Sequence, residues 1–163
     1  MKGNNIIRVL GIDPGSQITG FGIIETYKGR SHYIGSGCIR LKSFLWPKRL
    51  ELLFQGLSEV VTEYKPSIMA IEKIFVHKNV SSALKLGQVR GVAMVVAALQ
   101  GLSIAEYTPR QVKKTVSGFG GADKAQIQHM MQLLLKLDGK PQVDAADALA
   151  VAVCHSHTTQ TFG

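Results

Sequence analysis

Cysteine, aromatic residues and acidic residues are all scarce in this sequence of 163 residues. Only Cys38 and Cys154 are present, far apart and without a Cys-x-x-Cys pair, which argues against a disulfide framework and favours a reducing compartment. The composition, 45% hydrophobic and 18% charged, is that of a globular protein and excludes disorder, collagen-like chains and coiled-coil rods. We therefore expect one domain over residues 1–163.

Long hydrophobic runs are also missing. The longest, at residues 92–99, has eight residues, whereas a membrane-spanning helix needs about 20. The first fifteen residues contain Arg8 and Asp13 and lack the apolar centre of a signal peptide. These observations predict a soluble, cytoplasmic protein that does not contact a membrane.

Acidic residues number 11 against 19 Lys and Arg, so the formal net charge is +8. The excess lies between residues 73 and 136, which carry +7, and the rest of the chain carries +1. The basic residues of that stretch are Lys73, Lys78, Lys85, Arg90, Arg110, Lys113, Lys114, Lys124 and Lys136. A basic surface attracts nucleic acid through counterion release, although a solvated basic face without a partner explains the charge equally well.

The hydrophobic periodicity changes along the chain from strand-like to helix-like. Three strands come first, at residues 6–12, 20–26 and 31–41, with a turn at Lys28-Gly29. The following elements are predicted in this order: a helix at 47–65, a strand at 67–72, a helix at 81–100, a strand at 103–107, and helices at 109–116, 124–137 and 142–154. Asp123 precedes the helix at 124–137, and Gln126 three residues later predicts a capping box at its start. This order predicts an α/β fold, in which a three-strand antiparallel meander and two parallel strands form one mixed five-stranded sheet flanked by helices.

Four carboxylates lie at ends of these elements. Asp13 follows the first strand, Glu72 ends the fourth, and Asp144 and Asp147 share one face at the start of the last helix. If the first and fourth strands are neighbours, all four side chains can meet at one sheet edge. Four carboxylates can hold hard divalent cations, and two ions about 4 Å apart can promote phosphodiester cleavage.

Each carboxylate also has a plainer explanation. Asp13 can be a turn residue before Pro14-Gly15, and Asp144 can be a favourable charge at a helix N-terminus. The group favours a site, because a chain with 11 acidic residues places four of them here. Phe75, three residues after Glu72, fits a core position and a functional position equally well on its own.

The sequence resembles the RuvC family of bacterial Holliday-junction resolvases, which have an RNase H-like fold. The resemblance runs nearly from end to end, and its combination of motifs is highly specific. The motifs are Gly11-Ile-Asp-Pro-Gly-Ser16 with Thr19-Gly20, Gly35-Ser-Gly-Cys-Ile-Arg40, Ala70-Ile-Glu72, Ser82-Ala-Leu-Lys-Leu-Gly-Gln88, Arg110-Gln-Val-Lys113 and Asp144-Ala-Ala-Asp-Ala-Leu-Ala150.

The resemblance implies a homodimeric, Mg2+-dependent endodeoxyribonuclease acting in recombination and repair. It would nick two opposed strands of a four-way junction, leave 5'-phosphate and 3'-hydroxyl ends, and work with the branch-migration proteins RuvA and RuvB. Asp13, Glu72, Asp144 and Asp147 match the family's catalytic, metal-binding carboxylates. The resemblance implies two Mg2+ ions per site, with Mn2+ as a substitute.

The resemblance also implies DNA contacts. Phe75 matches an aromatic residue inserted near the junction centre, and Lys113 and Lys124 match basic residues at the scissile backbone. Lys78 lies beside Phe75 and is a further candidate for DNA binding. One departure from the family is the loop Phe44-Leu-Trp46, which is more apolar than expected.

Two further features are interpreted from the residues alone. Gly87 and Gly91, four apart on an apolar helix, allow close helix packing either within the fold or across a dimer. Cys154-His-Ser-His157 lacks companion ligands elsewhere, so a metal site is disfavoured and a frayed helix end is expected.

Three other functions compete with the resolvase. An actin-like or sugar-kinase ATPase shares a Gly-Ile-Asp-x-Gly opening, but it needs two such domains. A catalytically silent junction-binding protein does not need four carboxylates at its contact surface. An RNase H-like nuclease acting on another nucleic acid remains open, because carboxylates recognise metal and phosphate and not the sugar.

Overall fold

The protein is described by a computed structural model that covers residues 5–74 and 79–161. The helices and strands, in chain order, are β1 Ile7–Asp13, β2 Ile18–Tyr27, β3 Arg30–Arg40, α1 Trp46–Tyr64, β4 Ile68–Glu72, α2 Val80–Leu99, β5 Ser103–Tyr107, α3 Pro109–Ser117, α4 Lys124–Leu134 and α5 Val143–Thr161.

The five strands form one mixed sheet in the order β3-β2-β1-β4-β5. β1, β2 and β3 are antiparallel, and β4 and β5 run parallel to β1, so the predicted topology is confirmed. The predicted turn between β2 and β3 is also present, with Lys28 and Gly29 both at positive φ. Because β1 and β4 are adjacent and parallel, their carboxyl ends meet at one edge of the sheet.

Side chains of the sheet alternate between two hydrophobic layers. Val9 packs with α3, α4 and α5 on one face, whereas Leu10 and Ile12 pack with α1 and α2 on the other. The face against α5 therefore receives the odd positions of β1, which include Gly11 and end in Asp13. The strand period alone directs this carboxylate toward α5.

Helix α5 lies unusually close to the sheet, because glycines on β1 and β2 leave room for its backbone. A Cβ atom built on Gly11 would lie 2.0 Å from the Ala148 carbonyl oxygen, and one on Gly20 would lie 2.0 Å from the Asp144 carbonyl oxygen. Neither position can accept a side chain without moving the helix. This close approach sets the height at which the first turn of α5 presents its aspartates to β1.

Most predicted boundaries agree with the structure to within one residue, and three were wrong by two residues or more. β2 begins at Ile18 and not at residue 20. α4 ends at Leu134 instead of 137, because Lys136 takes a positive φ and the Leu137 amide donates back to the Gln132 carbonyl oxygen, which closes the helix. α5 continues past Cys154 to Thr161.

The expectation of a frayed end at residues 154–157 was therefore also wrong. His155 and Ser156 are buried, and the Tyr107 hydroxyl and His155 Nδ1 share a hydrogen bond of 2.6 Å. The Thr158 and Thr159 hydroxyls donate to the carbonyl oxygens of Cys154 and His155, so the helix continues. Within the described residues, no group of three acidic, histidine or cysteine side chains is arranged to hold a metal here or elsewhere.

Helix α2 differs from the other long helices in its outer surface. Its inner face is buried against the sheet and α1 through Val89, Ala93, Val96 and Ala97. Gly87 and Gly91 lie on the outer side, where an added Cβ would meet nothing within 4 Å, so these glycines do not serve packing within the fold. In length and composition, α2 is the one helix of the described residues that could cross a membrane, a test that core helices of soluble proteins also pass.

Candidate active site

Three of the predicted carboxylates line one small pocket at the carboxyl edge of β1 and β4. Ile12 pairs with Ile71, so the residues that follow them, Asp13 and Glu72, lie side by side. The first turns of α5 bring Asp147 over the same edge. The pocket measures about 200 Å³ and also includes Lys113 and Lys124. The structure thus brings residues from five elements, β1, β4, α3, α4 and α5, together in one pocket.

The fourth carboxylate lies next to this pocket but does not line it. Gln142 holds Asp144 by donating from Nε2 to the Asp144 Oδ2 at 2.9 Å. The same glutamine caps α5, since its Oε1 accepts from the Asp144 amide at 2.8 Å and the Ala145 amide at 3.1 Å. The charge of Asp144 nevertheless reaches the pocket, where it helps to raise the pKa of Asp13.

The electrostatics of the cluster are those of crowded acids. Burial, and then the charges of Asp147, Glu72 and Asp144, raise the pKa of Asp13 to about 8. Burial, followed by Asp147, raises the pKa of Glu72 to about 7, despite opposing effects of Lys113 and Lys124. Burial also raises the pKa of Asp147. Burial is thus the main cause of the raised pKa values, and repulsion between the acids adds to it, so the metal-free site favours the protonated carboxyls more than an exposed site would.

The two lysines enter the pocket from capped helices. Asp123 begins α4 with the predicted capping box: its side chain accepts from the Gln126 amide, and the Gln126 side chain accepts from the Asp123 amide, both at 2.8 Å. This cap places Lys124 at the first position of α4, where its Nζ lies 3.6 Å from the Asp147 Oδ2. Thr108 forms a second capping box at the start of α3, the helix that carries Lys113.

The donor set suits a hard divalent cation. Carboxylate oxygens are the ligands that Mg2+ and Mn2+ accept, and a cation would stabilise the ionised forms of Asp13 and Glu72, whose pKa values are raised first by burial and then by neighbouring acids. As arranged among the described residues, no three of these side chains converge on one point. Asp144 is turned toward Gln142 and Asp147 toward Lys124, so metal binding requires these two side chains to exchange partners.

Two of the predicted DNA contacts, Phe75 and Lys78, lie outside the described residues. Sequence reasoning missed Gln142 and Cys38, whose thiol donates to the Gln142 Oε1 at 2.9 Å. The position of Gln142 just before the last helix gave no capping signal, because Ser, Thr, Asp and Asn are the usual residues at that position. Cys38 carried no signal either, because its contact crosses from β3 to α5.

Comparison with known proteins gives one answer. The family described as Crossover junction endodeoxyribonuclease RuvC matches the chain over residues 9–155. The chain belongs to the RuvC family. The RuvC protein of Pseudoalteromonas atlantica is 55% identical over 94% of this chain and 89% of its own length. That of Dichelobacter nodosus is 57% identical over 96% of this chain and 89% of its own length.

Solved RuvC structures have the same fold. T. thermophilus RuvC in complex with Holliday junction substrate superposes with a TM-score of 0.88, at 27% identity and over 96% of both chains. The yeast mitochondrial resolvase Ydc2 shares the fold, with a TM-score of 0.70 at 12% identity over 93% of this chain and 78% of its own. The expected RuvC-type, RNase H-like sheet is therefore confirmed.

Proposed function

We propose that this protein is a structure-selective DNA endonuclease that resolves four-way junctions in recombination and repair. The observation that carries the proposal is the pocket at the β1–β4 edge, where Asp13, Glu72 and Asp147 lie together with two lysines. Membership of the RuvC family supports the reaction, and the T. thermophilus relative in complex with Holliday junction substrate supports the DNA structure. Paired symmetric nicks would leave 5'-phosphate and 3'-hydroxyl ends.

The metal dependence is part of the proposal. Asp13, Glu72, Asp144 and Asp147 would hold two Mg2+ ions, with Mn2+ as a substitute. When bound, such ions supply an activated water and neutralise the leaving oxygen. Asp13 has the highest raised pKa of the cluster and the deepest burial, so its carboxylate is the one that a cation would stabilise most. The uncompensated charge of the cluster supports this assignment.

The lysines would act on the scissile phosphate. Lys113 and Lys124 both lower the pKa of Glu72, so their ammonium groups lie within electrostatic reach of the carboxylates. An ammonium group there can hold a non-bridging phosphate oxygen as charge develops on it. Lys124 would exchange Asp147 for the phosphate when DNA binds. Phe75 and Lys78 stay predicted contacts of the DNA near the junction centre.

A homodimer is the proposed assembly, because a two-fold enzyme presents two sites to a two-fold junction. The outer face of α2 supports this proposal. Its exposed apolar residues recur at helical spacing and are Val80 (62%), Leu84 (65%), Val95 (52%) and Leu99 (70%). Gly87 and Gly91 lie between them with open space above, which would let a second helix approach closely.

The remaining partners follow from family membership. RuvA and RuvB stay proposed partners, and the cytoplasm stays the proposed location. Among other functions, a catalytically silent binding protein would not need a pocket of buried acids that raises their pKa values. A nuclease acting on another nucleic acid would use the same carboxylates, so substrate choice is what the experiment must decide.

Cleavage of a synthetic four-way junction tests the proposal. The junction, a linear duplex and an RNA–DNA hybrid are each incubated with the protein in Mg2+, in Mn2+ or in EDTA. We expect symmetric nicks in the junction alone, and only with metal. Binding without nicks in either metal would support the silent binding protein, and cleavage of the hybrid would keep the fold and change the substrate.

A further inference from the structure

A basic cleft opens beside the carboxylate pocket, between the end of β3 and the start of α1. We call it the β3–α1 cleft and define it by Arg40, Lys42, Phe44 and Arg49. It measures about 540 Å³. No carboxylate is among the described residues that line it, so its charge is uniformly positive.

Strand pairing places this cleft at the same sheet edge as the carboxylates. Asp13 pairs with Gly20 and Gly20 pairs with Cys38, so Arg40 lies two strands away and two residues further along. With about 4.8 Å between strands and about 3.4 Å per residue, the separation from Asp13 is roughly 12 Å. Cys38, on the same side of β3 as Arg40, contacts the Gln142 cap of α5.

The walls of the cleft are fixed by hydrogen bonds between two loops. The Leu41 amide donates to the Gln17 carbonyl oxygen at 2.9 Å. Arg49 donates from Nε to the Ser43 carbonyl oxygen at 2.6 Å and from Nη1 to the Ser16 carbonyl oxygen at 3.4 Å. The cleft is thus formed before any ligand arrives, which lowers the entropy lost on binding.

Of the four residues that define the cleft, Arg40, Lys42 and Phe44 are exposed for contact with a ligand. Arg40 and Lys42 are exposed, and neither forms an ion pair within residues 5–74 and 79–161. The side chain of Phe44 is fully exposed, at 105%. Exposed cations beside an exposed aromatic ring are the combination that holds a nucleic-acid strand, with the cations on phosphates and the ring on a base or sugar face.

We propose that the β3–α1 cleft binds the backbone of one junction arm, about two nucleotides from the cleaved bond. Arg40 and Lys42 contact phosphates, and Phe44 packs on the strand between them. The distance follows from the roughly 12 Å separation, because neighbouring phosphates of one DNA strand lie roughly 6 to 7 Å apart in space. This inference rests on the proposed function, because it names a second contact for the same substrate.

A second copy of the chain fits the cleft less well than DNA. A two-fold contact through this cleft would place its cations against those of the partner cleft and separate them from water. DNA compensates the same charges and releases counterions in doing so. The apolar and nearly uncharged outer face of α2 is the better surface for a second copy.

Salt-dependent binding tests the two cations. The affinity for a fluorescent four-way junction is measured in EDTA across a series of NaCl concentrations, for the wild type, for the double variant Arg40→Ala with Lys42→Ala, and for Arg30→Ala. Arg30 lies at the opposite end of β3, exposed like Arg40. We expect the double variant to bind about tenfold or more weakly, with a salt slope reduced by about 1 to 2, and Arg30→Ala to match the wild type.

Phe44 is tested in the same assay. Phe44→Ala should weaken binding about fivefold without changing the salt slope, and Phe44→Trp should restore it. Junctions with neutral methylphosphonates at the second to fourth phosphates from the cleaved bond should weaken binding by the wild type but not by the double variant of Arg40 and Lys42. If the modified phosphates and the double variant do not weaken binding additively, Arg40 and Lys42 contact those phosphates.

Three results would overturn the inference. The double variant could keep the wild-type salt slope, the methylphosphonates could weaken both proteins equally, or Phe44→Ala could alter the oligomeric state in light scattering and not the affinity.

Failure of this inference is distinguishable from failure of the proposed function. A wild-type protein that cuts the junction while the variants bind normally would reject the cleft alone. A wild-type protein that neither binds nor cuts the junction would reject the proposed function and, with it, this inference.

Discussion

Helices α2 and α5 are similar in sequence character but have opposite surroundings. They have 20 and 19 residues, both are apolar, and neither has a distinct polar face. Yet α5 is buried almost continuously from Ala145 to Ser156, whereas α2 buries only one side and exposes leucines and valines on the other. The difference comes from their neighbours. The sheet, α3 and α4 surround α5, but α2 has only the sheet and α1.

The comparison shows that an apolar helix can serve two purposes in one small fold. A helix that is apolar on all sides needs cover on all sides. The sheet covers one side of α5, where Gly11 and Gly20 leave room for the helix backbone, and α3 and α4 cover the other sides. This packing holds the aspartates of α5 rigidly above β1. For α2 the fold supplies half of the cover, and the exposed remainder is the face that we assign to a second copy.

The largest expected effect comes from replacing Asp13, the carboxylate at the end of β1 that faces α5. Asp13→Asn should reduce junction cleavage by roughly a thousandfold or more, because it removes the carboxylate that a cation most stabilises. Junction affinity should stay nearly constant, since the basic surface is untouched. Gel cleavage and fluorescence binding measure the two effects, with Asp138→Asn, an exposed acid outside the pocket, as the control. Parallel loss of binding and cleavage would contradict the assignment.

Two glycine substitutions test directly the difference in packing around α5 and α2. Gly11→Ala should lower the free energy of unfolding by about 3 kcal/mol or more, because its Cβ would meet the Ala148 carbonyl oxygen at 2.0 Å. Gly91→Ala, in open space on α2, should raise it by up to about 1 kcal/mol through helix propensity. Urea unfolding at low protein concentration measures both values. Equal effects of the two variants on the free energy of unfolding would show that the close contact at Gly11 does not position α5.

The exposed face of α2 is tested by a charge on a leucine. Leu84→Glu should convert a dimer into monomers, because a buried, unpaired carboxylate at the interface is costly. Leu133→Glu on α4 is the matched control, since Leu133 is 58% exposed and Leu84 is 65% exposed. Light scattering and sedimentation report the oligomeric state. A dimer that resists Leu84→Glu, or dissociates with Leu133→Glu, would move the interface away from α2.

The last prediction is a pH dependence of the stability of the metal-free protein. The raised pKa values of Asp13, to about 8, and Glu72, to about 7, mean that the folded state keeps protons that the unfolded state has lost. Stability in EDTA should therefore fall as the pH rises from about 4 to about 8, by at most about 1.4 kcal/mol per pH unit for each group.

Thermal unfolding in EDTA between pH 5 and pH 8 measures this slope. Added Mg2+ should raise the unfolding temperature more at pH 8 than at pH 5, since metal replaces the protons. Asp13→Asn should flatten the slope in EDTA. A metal-free protein that becomes more stable toward pH 8 would show that the carboxylates are not crowded as described.

Much of the site was predictable because its residues mark the ends of elements. Asp13 and Glu72 each end a strand that the hydrophobic pattern predicted, and Asp123 with Gln126 formed the capping box that their spacing indicated. Asp144 and Asp147 share a helix face by their spacing. Local pattern and simple topology were enough for these features.

Other features could not be predicted, because they depend on contacts between distant segments. The spacing of Asp144 and Asp147 did not reveal that Asp144 would bond to Gln142 while Asp147 faces Lys124. The end of α5 was misjudged because burial of His155 against Tyr107 stabilises a stretch whose own composition favours fraying.

The sequence by itself determined the order of the elements and the positions of four carboxylates at element ends, whereas the adjacency of β1 and β4 that brings Asp13 and Glu72 together came from the structure. The features that the sequence determined depend on hydrophobic periods of two and 3.6 residues and on local helix caps, and both involve residues that are close together in the sequence. Only the tertiary structure decided the cover of the two apolar helices. One became a rigid support for the site and the other an open face, because burial depends on which elements pack around a helix and not on the helix's own residues.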